Sequence, residues 1–364
     1  MPAYKNENAK KNKWCTSFYY TDWQGKRRHK TKRGFARKAD ADAFERDFLA
    51  RLSKSPEIPF SAVVDNYFQT VAARELRITT YSRKLERIRM HILPYFGNRP
   101  INSIEPLDIV DWQENVIMSG KSRGGYSESY LRILNGDLSS IFNYAVTYYK
   151  LTNNPCRAAK MMGSSSADKK MNIWTPEEFK KFRSVLPDKT SIVAFDILFW
   201  TGCREGELLA LTPSDILPEP SIQISKNYAR LGKEDYTLPT KTKKGNRVVA
   251  IPNFLYNEIM EYVNSVYGLE KTDRIFPFTR DFLARKIRKY SKKAGITQIR
   301  IHDLRHSHAS MLIEMGYNIL TIAERLGHKS VDTTWNTYGH LYPGKDRSLA
   351  DSLEGVKNDR KTIF

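Results

Sequence analysis

His302-Asp303-Leu304-Arg305, then Leu326-Gly327-His328, then Asn336-Thr337-Tyr338-Gly339-His340, are the stretches whose reading decides the fold and chemistry of this chain. His302 and Arg305 lie three residues apart in an apolar pattern of Leu304, Ala309, Met311 and Leu312 that reads as a helix. Both side chains therefore leave one face and can converge on one phosphate. A second helical pattern, Ile319, Ile322, Ala323 and Leu326, ends at Gly327, the expected left-handed stop, with His328 just beyond it. Tyr338 follows a polar run in which another short helix can start, a separate element able to deliver a phenol. Upstream, Thr201-Gly202-Cys203-Arg204-Glu205-Gly206-Glu207-Leu208 sets an arginine at a helix start, and Glu207 three residues on can orient its guanidinium. Two guanidiniums can neutralise a phosphodiester in a charge-rich transition state, two imidazoles can donate hydrogen bonds or move protons, and a phenol can be the nucleophile. Such a set cuts a nucleic-acid backbone without a metal.

Composition points the same way. The 364 residues carry 60 Lys and Arg against 40 Asp and Glu, a net charge of +20 and a pI near 9.7, which favours a polyanionic partner. That length is too great for one compact core and predicts two or three domains. A hydrophobic content of 40% excludes a wholly disordered chain. No apolar run approaches membrane-spanning length and the amino terminus lacks the apolar core of a signal peptide, so the expected location is the cytoplasm, away from any membrane. Cys15, Cys156 and Cys203 form no Cys-x-x-Cys pair, so neither a disulfide framework nor a cysteine zinc site is indicated, and Cys203 reads as a small buried residue.

Along the chain, residues 1–55 hold 15 Lys and Arg against 6 Asp and Glu, a concentrated anion-binding unit. Trp14, Thr16, Phe18 and Tyr20 alternate with period two, residues 22–25 read as a turn, and a returning basic strand brings Lys26, Arg27, Arg28, Lys30 and Lys32 as expected DNA contacts. A helical pattern through Ala39, Ala43, Phe44 and Leu49 follows. A small sheet backed by one helix can lay a strand into a DNA groove. Pro56 and Pro59 mark a boundary, and residues 56–160 read as four helices, the longest opened by Ser127 and striped by Leu131, Leu134, Leu138, Ile141, Phe142 and Val146. Arg83, Lys84, Arg87, Arg89, Lys121, Arg123 and Arg132 are possible phosphate contacts there, although each singly reads equally well as an ordinary surface charge.

Residues 161–172 have a linker's composition, and Thr175-Pro176-Glu177-Glu178 restarts helix with a capping box, opening a last domain over 173–364. Between 221 and 252 the pattern turns to strand, with Ile222 and Ile224, Tyr236 and Leu238, then Val248, Val249 and Ile251. The segment 240–246, rich in Lys241, Lys243 and Lys244, reads as a hairpin tip between the last two strands. The expected fold class is multidomain. It comprises a small α+β domain with a three-stranded sheet and one helix, an all-α domain, and a mainly-α domain with a small antiparallel sheet.

Together these residues resemble the catalytic signature of the tyrosine recombinases, the phage-integrase family. That signature is an Arg in a Thr-Gly-x-Arg-x-x-Glu-Leu block, a hairpin Lys, His-x-x-Arg, Leu-Gly-His and a nucleophilic Tyr. Arg204, Lys241, His302, Arg305, His328 and Tyr338 fill all six places in order. Any one fragment is weak, since His-x-x-Arg arises by chance in many helices, but the ordered set is specific. By the same resemblance residues 1–55 look like an arm-site DNA-binding domain of phage and conjugative-element integrases, and 56–160 like the SAM-like core-binding domain.

The resemblance implies a site-specific recombinase that cleaves and rejoins DNA through a 3′-phosphotyrosyl intermediate to integrate and excise a mobile element, with no cofactor, metal or ATP. Lys241 would protonate the departing 5′ hydroxyl, while Lys243 and Lys244 are competitors whose default role is phosphate binding. His302 fits proton transfer or phosphate binding, and His328 a donor to a phosphate oxygen. Among 20 tyrosines, Tyr338 stands at the family's position, ten residues after His328; Tyr342 is the nearest rival. His306 and His308 are expected to pack or hydrogen-bond within their helix, outside the site, and a zinc cluster of 302, 306 and 308 has spacing alone in its favour. Trp335 reads as a packing residue.

Implied partners are double-stranded DNA at core and arm sites, three further copies in a tetramer, an excisionase and a host DNA-bending protein in a bacterial cell. Leu349, Leu353 and Val356 in the tail, at roughly helical spacing, can dock on a neighbour or fold back. Two competing readings are a type IB topoisomerase and a non-catalytic DNA-binding regulator. The basic amino-terminal module favours recombination, because relaxing supercoils needs no second sequence reader.

Overall fold

Period-two alternation at the amino terminus produces strand β2 (Trp14–Thr21), which pairs antiparallel with both β1 (Tyr4–Lys5) and β3 (Arg27–Phe35). The computed structural model describes residues 3–5, 12–21, 27–53, 58–121, 124–164, 171–240 and 242–339. Two compact units divide the chain, Met1–Asp168 and Lys169–Phe364. Lys26, Arg123, Lys241, Tyr342 and the carboxy-terminal tail lie outside the described residues.

Helix α1 (Lys38–Ser53) covers one face of this sheet. Phe18 and Tyr20 pack on Phe48, with ring centroids 5.2 and 4.9 Å apart, and the Thr16 hydroxyl donates to Glu45 at 2.7 Å. The register sets Arg28, Lys30 and Lys32 opposite these helix-facing residues, and the Lys30 ammonium rests 4.2 Å from the Phe48 ring centre. Arg27, His29, Thr31 and Arg33 alternate onto the uncovered face, where Arg27 stacks on Tyr19 and His29 bonds Ser17. The basic strand thus presents two faces. Arg33 and His29 belong to the open one, though sequence alone had not singled them out.

Four long helices follow: α2 (Phe60–Tyr67, continued by a π turn Phe68–Ala72), α3 (Ile78–His91), α4 (Pro106–Lys121) and α5 (Glu128–Tyr148). Ser127 caps α5 by accepting from the Tyr130 amide, as its position predicts. Phe60, Phe96, Trp112 and Phe142 fill the core, and the Trp112 indole donates to the His91 carbonyl at 2.7 Å. Two of the possible phosphate contacts turn inward instead. Lys84, one turn before buried Ile88, donates to Tyr67 Oη (2.8 Å) and Ser140 Oγ (2.6 Å), and Arg87 pairs with Asp137 at 2.6 Å. Their helical register faces α5, so these charges are committed within the unit.

The second unit is built around α7 (Lys189–Thr201), buried along most of its length, with α6 (Pro176–Ser184) stacked on it through Phe179 and Phe199 at 4.0 Å. Thr175 and Glu178 form the capping box at the start of α6, with reciprocal bonds of 3.3 and 3.0 Å. A turn of helix α8 (Glu205–Leu208) leads to the strands β4 (Ile216–Leu217), β5 (Ser221–Ile224), β6 (Lys226–Leu231), β7 (Glu234–Pro239) and β8 (Arg247–Ala250). The expected hairpin between the last two strands is corrected here. β7 pairs with β6, whereas β8 pairs with β5 in the order β4-β5-β8, so segment 240–246 crosses from one sheet to the other. Strand β6 escaped the sequence pattern because Tyr228 is its one buried residue among exposed and half-exposed ones. The helices α9 (Asn253–Ser265), α10 (Arg280–Lys293), α11 (Asp303–Glu314), α12 (Ile319–Leu326) and α13 (Val331–Tyr338) complete the unit. Among the described residues no helix is long and apolar enough to cross a membrane.

Candidate active site

Arg305 is the structural centre of the site. Its side chain is 2% exposed, and it donates from Nη1 to the Gly202 carbonyl at 2.8 Å and from Nη2 to the Leu326 carbonyl at 2.6 Å. These carbonyls stand at the ends of α7 and α12, two residues before Arg204 and His328 respectively. One guanidinium therefore fixes the two backbone turns that carry the other site residues. Both turns need glycine. Gly202 (φ +64°) and Gly327 (φ +67°) are left-handed stops, and a Cβ on Gly202 would meet His308 at 2.7 Å while one on Gly327 would meet the Lys244 carbonyl and Arg247 at 2.9 Å. The second contact also seats the segment carrying Lys244, itself exposed, against the turn before His328.

Arg204 follows Gly202 in extended conformation and opens α8. Its amide and Nη1 donate to the two oxygens of Glu207, at 3.0 and 2.8 Å, as the three-residue spacing predicts. Glu207 is 3% exposed and takes a second arginine: Arg247 of β8 donates to it at 3.0 Å and to the Arg325 carbonyl at 2.8 Å. Burial would raise the Glu207 carboxyl, but Arg247 and then Arg204 outweigh it and hold the group below the usual range. Arg247 was not singled out by the sequence, because its partner lies forty residues away on another element.

His302 precedes α11 and keeps an exposed edge, yet the protein around its ring, together with His306, Arg305 and Arg204, pushes its pKa down to about 4. Burial, with the charges of Arg305, Arg204 and Arg247, pushes His328 down to about 3. Both imidazoles are neutral at pH 7. His328 Nδ1 and the Thr334 hydroxyl lie 2.7 Å apart.

Tyr338 ends α13, with Thr334 one turn before it on the same buried face. Its ring, 1% exposed, packs among Ala309, Ile313, Ile322 and Leu326. Burial pushes the phenol up to about 12, against the lowering fields of Arg305 and Arg204. The phenolic oxygen lies 2.7 Å from His306 Nδ1. The expectation that His306 stays within its own helix is therefore wrong. His302 and His306 are one turn apart on the same face of α11, a spacing already visible in the sequence, and their rings meet edge-on with centroids 5.0 Å apart. His308 does serve packing: it is 1% exposed and accepts from Arg325 at 3.0 Å, while Arg325 also binds the carbonyls of Ala250 and Trp200. No group of metal-ligating residues forms among the described residues. Cys203 is buried, which pushes its thiol up to about 11. Trp335 lies on the outer side of α13, 55% exposed, beside Gly339.

The chain is similar to known proteins in sequence and in fold. The sequence pattern of the phage integrase family matches residues 175–345, that of the phage integrase N-terminal SAM-like domain residues 59–116, and that of the arm DNA-binding domain residues 2–52. The ICEBs1 integrase of Bacillus subtilis (strain 168) is 34% identical over 324 residues, covering 84% of this chain and 85% of its own. The chain belongs to the phage integrase family. It is accordingly a tyrosine site-specific recombinase, an enzyme of DNA strand breakage and rejoining. Its fold is similar to that of the Tn1549 transposon integrase in complex with transposon right-end DNA, with a TM-score of 0.64 at 21% identity over 80% of this chain and 99% of that one. A lambda integrase tetramer bound to a Holliday junction has a TM-score of 0.56 at 18% identity over 90% of this chain and 96% of that one. The small sheet with one helix, the helical SAM-like domain and the helical last domain with small sheets agree with the expected fold class.

Proposed function

We propose that Tyr338 attacks the scissile phosphate, that Arg204 and Arg305 hold its non-bridging oxygens, and that His302 and His328 face the same phosphate. The observation that carries this reading is the grouping around Arg305. Its two bonds fix the turns before Arg204 and His328, and its charge and that of Arg204 both act on the Tyr338 phenol. Fixed guanidinium forks suit a trigonal-bipyramidal phosphorane better than lysine does. For neutral His328 to donate from Nε2, its Nδ1 must carry the lone pair, so Thr334 is the donor in their shared bond. Attack forms a 3′-phosphotyrosyl bond and frees a 5′ hydroxyl, whose proton Lys241 supplies. Attack by a second strand's 5′ hydroxyl reverses the step without ATP. Glu207 supports Arg204, and Lys243 and Lys244 contact the backbone.

The domain scheme we propose is an arm-site reader over 1–55, a core-binding domain over 56–160, a linker over 161–172 and the catalytic domain over 173–364. Basic side chains on both faces of the strand, Arg27 and Arg33 on the open face and Arg28, Lys30 and Lys32 on the other, support the first of these. The working assembly is a homotetramer on two core sites, as the tetrameric lambda integrase on a Holliday junction suggests. It acts on a mobile element in the bacterial cytoplasm, with an excisionase and a host DNA-bending protein setting direction.

A core-site duplex nicked near the cleavage point tests the chemistry, since loss of the short 5′ fragment traps the covalent protein. Strand exchange between two sites then separates recombination from simple nicking and closing; relaxation without exchange would refute the reading. Deleting residues 1–55 is expected to abolish integration between complete attachment sites while leaving adduct formation on an isolated core site. Equal loss of both activities would remove the arm assignment.

A further inference from the structure

We propose that His306 is the base that takes the phenolic proton as Tyr338 attacks phosphorus, and the acid that returns it when the phosphotyrosyl bond breaks. This rests on Tyr338 being the nucleophile. His306 Nδ1 lies 2.7 Å from the phenolic oxygen, and no other side chain hydrogen-bonds that oxygen among the described residues. The start of α11 offers two imidazoles on one side, His302 at the cap position and His306 one turn on, and it is the second that reaches the phenol. Both partners are held by packed elements: His306 sits in the first turn of α11 between buried Arg305 and Ser307, and the Tyr338 ring lies in a buried cluster with Ala309, Ile313, Ile322 and Leu326. The contact is thus built by packing on both sides.

A base must be neutral before it acts. Burial lowers the His306 pKa, Asp303 opposes it, and Arg300 and Arg305 lower it further. Among the described residues, His302 and Tyr338 are the titratable rings that meet the His306 ring. With the phenol donating, Nδ1 carries the lone pair and Nε2 the hydrogen. In the forward step the Oη–H bond breaks, the Oη–P bond forms, the P–O5′ bond breaks, and the phenolic proton stays on Nδ1. The leaving oxygen receives its own proton from the separate donor assigned to Lys241. The imidazolium so formed lies in the field of the Asp303 carboxylate, which favours it. In the return step a 5′ hydroxyl attacks phosphorus and passes its proton back to the group assigned to Lys241, the P–O5′ bond forms, the Oη–P bond breaks, and Nδ1 gives its proton to the departing phenolic oxygen. Without such a base, a phenol raised to about 12 is almost wholly protonated at neutral pH.

The test is the single-turnover rate of adduct formation by the full-length protein on a nicked core duplex, measured against pH for wild type, His306→Gln and His306→Ala, with DNA binding followed in parallel. Gln keeps a hydrogen-bond acceptor but cannot accept a proton. The expected result is intact binding with a rate lowered about 100-fold or more in both variants, the low end of the usual contribution of a positioned base. The wild-type rate should be flat from about pH 7 to 9, whereas both variants should climb roughly tenfold per pH unit as hydroxide replaces the imidazole. Added imidazole should restore part of the His306→Ala rate. A near-wild-type rate for His306→Gln would overturn the proposal and leave His306 as a positioning residue. So would a slow variant with a flat pH profile and no rescue. Tyr338→Phe runs alongside: an adduct formed by it would refute the nucleophile assignment itself, an outcome distinct from either of those.

Discussion

Tyr338→Phe is expected to bind a core site as the wild type does and to form no covalent adduct at all. The substitution removes one oxygen, and that oxygen is the proposed nucleophile. The ring's packing is kept, because Phe fills the same space among Ala309, Ile313, Ile322 and Leu326. What the fold loses is a single hydrogen bond to His306, a half-buried imidazole that can turn to water instead, so the cost should be about 0.5–1.5 kcal/mol. A modest fall in melting temperature with complete loss of adduct therefore separates chemistry from folding. Denaturing electrophoresis of protein incubated with nicked duplex reads the first, and native mobility shift reads binding. A persistent adduct mapping to Tyr342 would move the nucleophile to the rival tyrosine and leave the enclosure of Tyr338 as packing.

Which parts of this arrangement the sequence made legible follows from how local their causes are. Helix starts at Ser127 and Thr175, the stop at Gly327 and the Arg204–Glu207 pair each depend on residues within a turn of one another, and spacing exposes them. The sheet connections were misread because strand pairing is non-local. β6 shows little apolar alternation, so the chain looked as though β7 turned directly into β8. Arg247 and Thr334 belong to the site only through partners brought by the fold, Glu207 from forty residues away and His328 across a loop. His306 is the instructive case. Its four-residue offset from His302 placed it on the right face, but the element that meets that face, α13, is positioned by tertiary packing that no periodicity reports. Lys84 and Arg87 show the converse, basic residues that read as surface charge and prove to be internal struts of the helical unit.

Glu207→Ala should be the most damaging change to the scaffold of the site. Glu207 and Arg247 have side chains 3% and 7% exposed, and removing the carboxylate leaves a buried guanidinium without its counter-charge, a loss of roughly 3–5 kcal/mol. The Glu207–Arg204 bond adds little to that figure, since the Arg204 side chain is 38% exposed and screened by solvent. Its weight lies in catalysis. Arg204 loses the bond that aims it, and a misplaced phosphate ligand should slow adduct formation about 100-fold. The pH dependence has a definite sign: a carboxyl held below its ordinary 4.5 stabilises the fold above that value and ceases to do so as pH falls through its lowered folded pKa. The melting-temperature gap between wild type and Glu207→Gln should therefore narrow on acidification below about 4.5 and stay constant from pH 6 to 8. A pair of changes, Glu207→Leu with Arg247→Met, separates the two roles, because deleting both members of a buried pair strands neither. Thermal melts of that double variant should recover most of the stability lost by Glu207→Ala, while its adduct rate stays low because Arg204 still lacks its guide. Recovery of both together would mean that the carboxylate serves the fold alone and that Arg204 needs no orientation by Glu207.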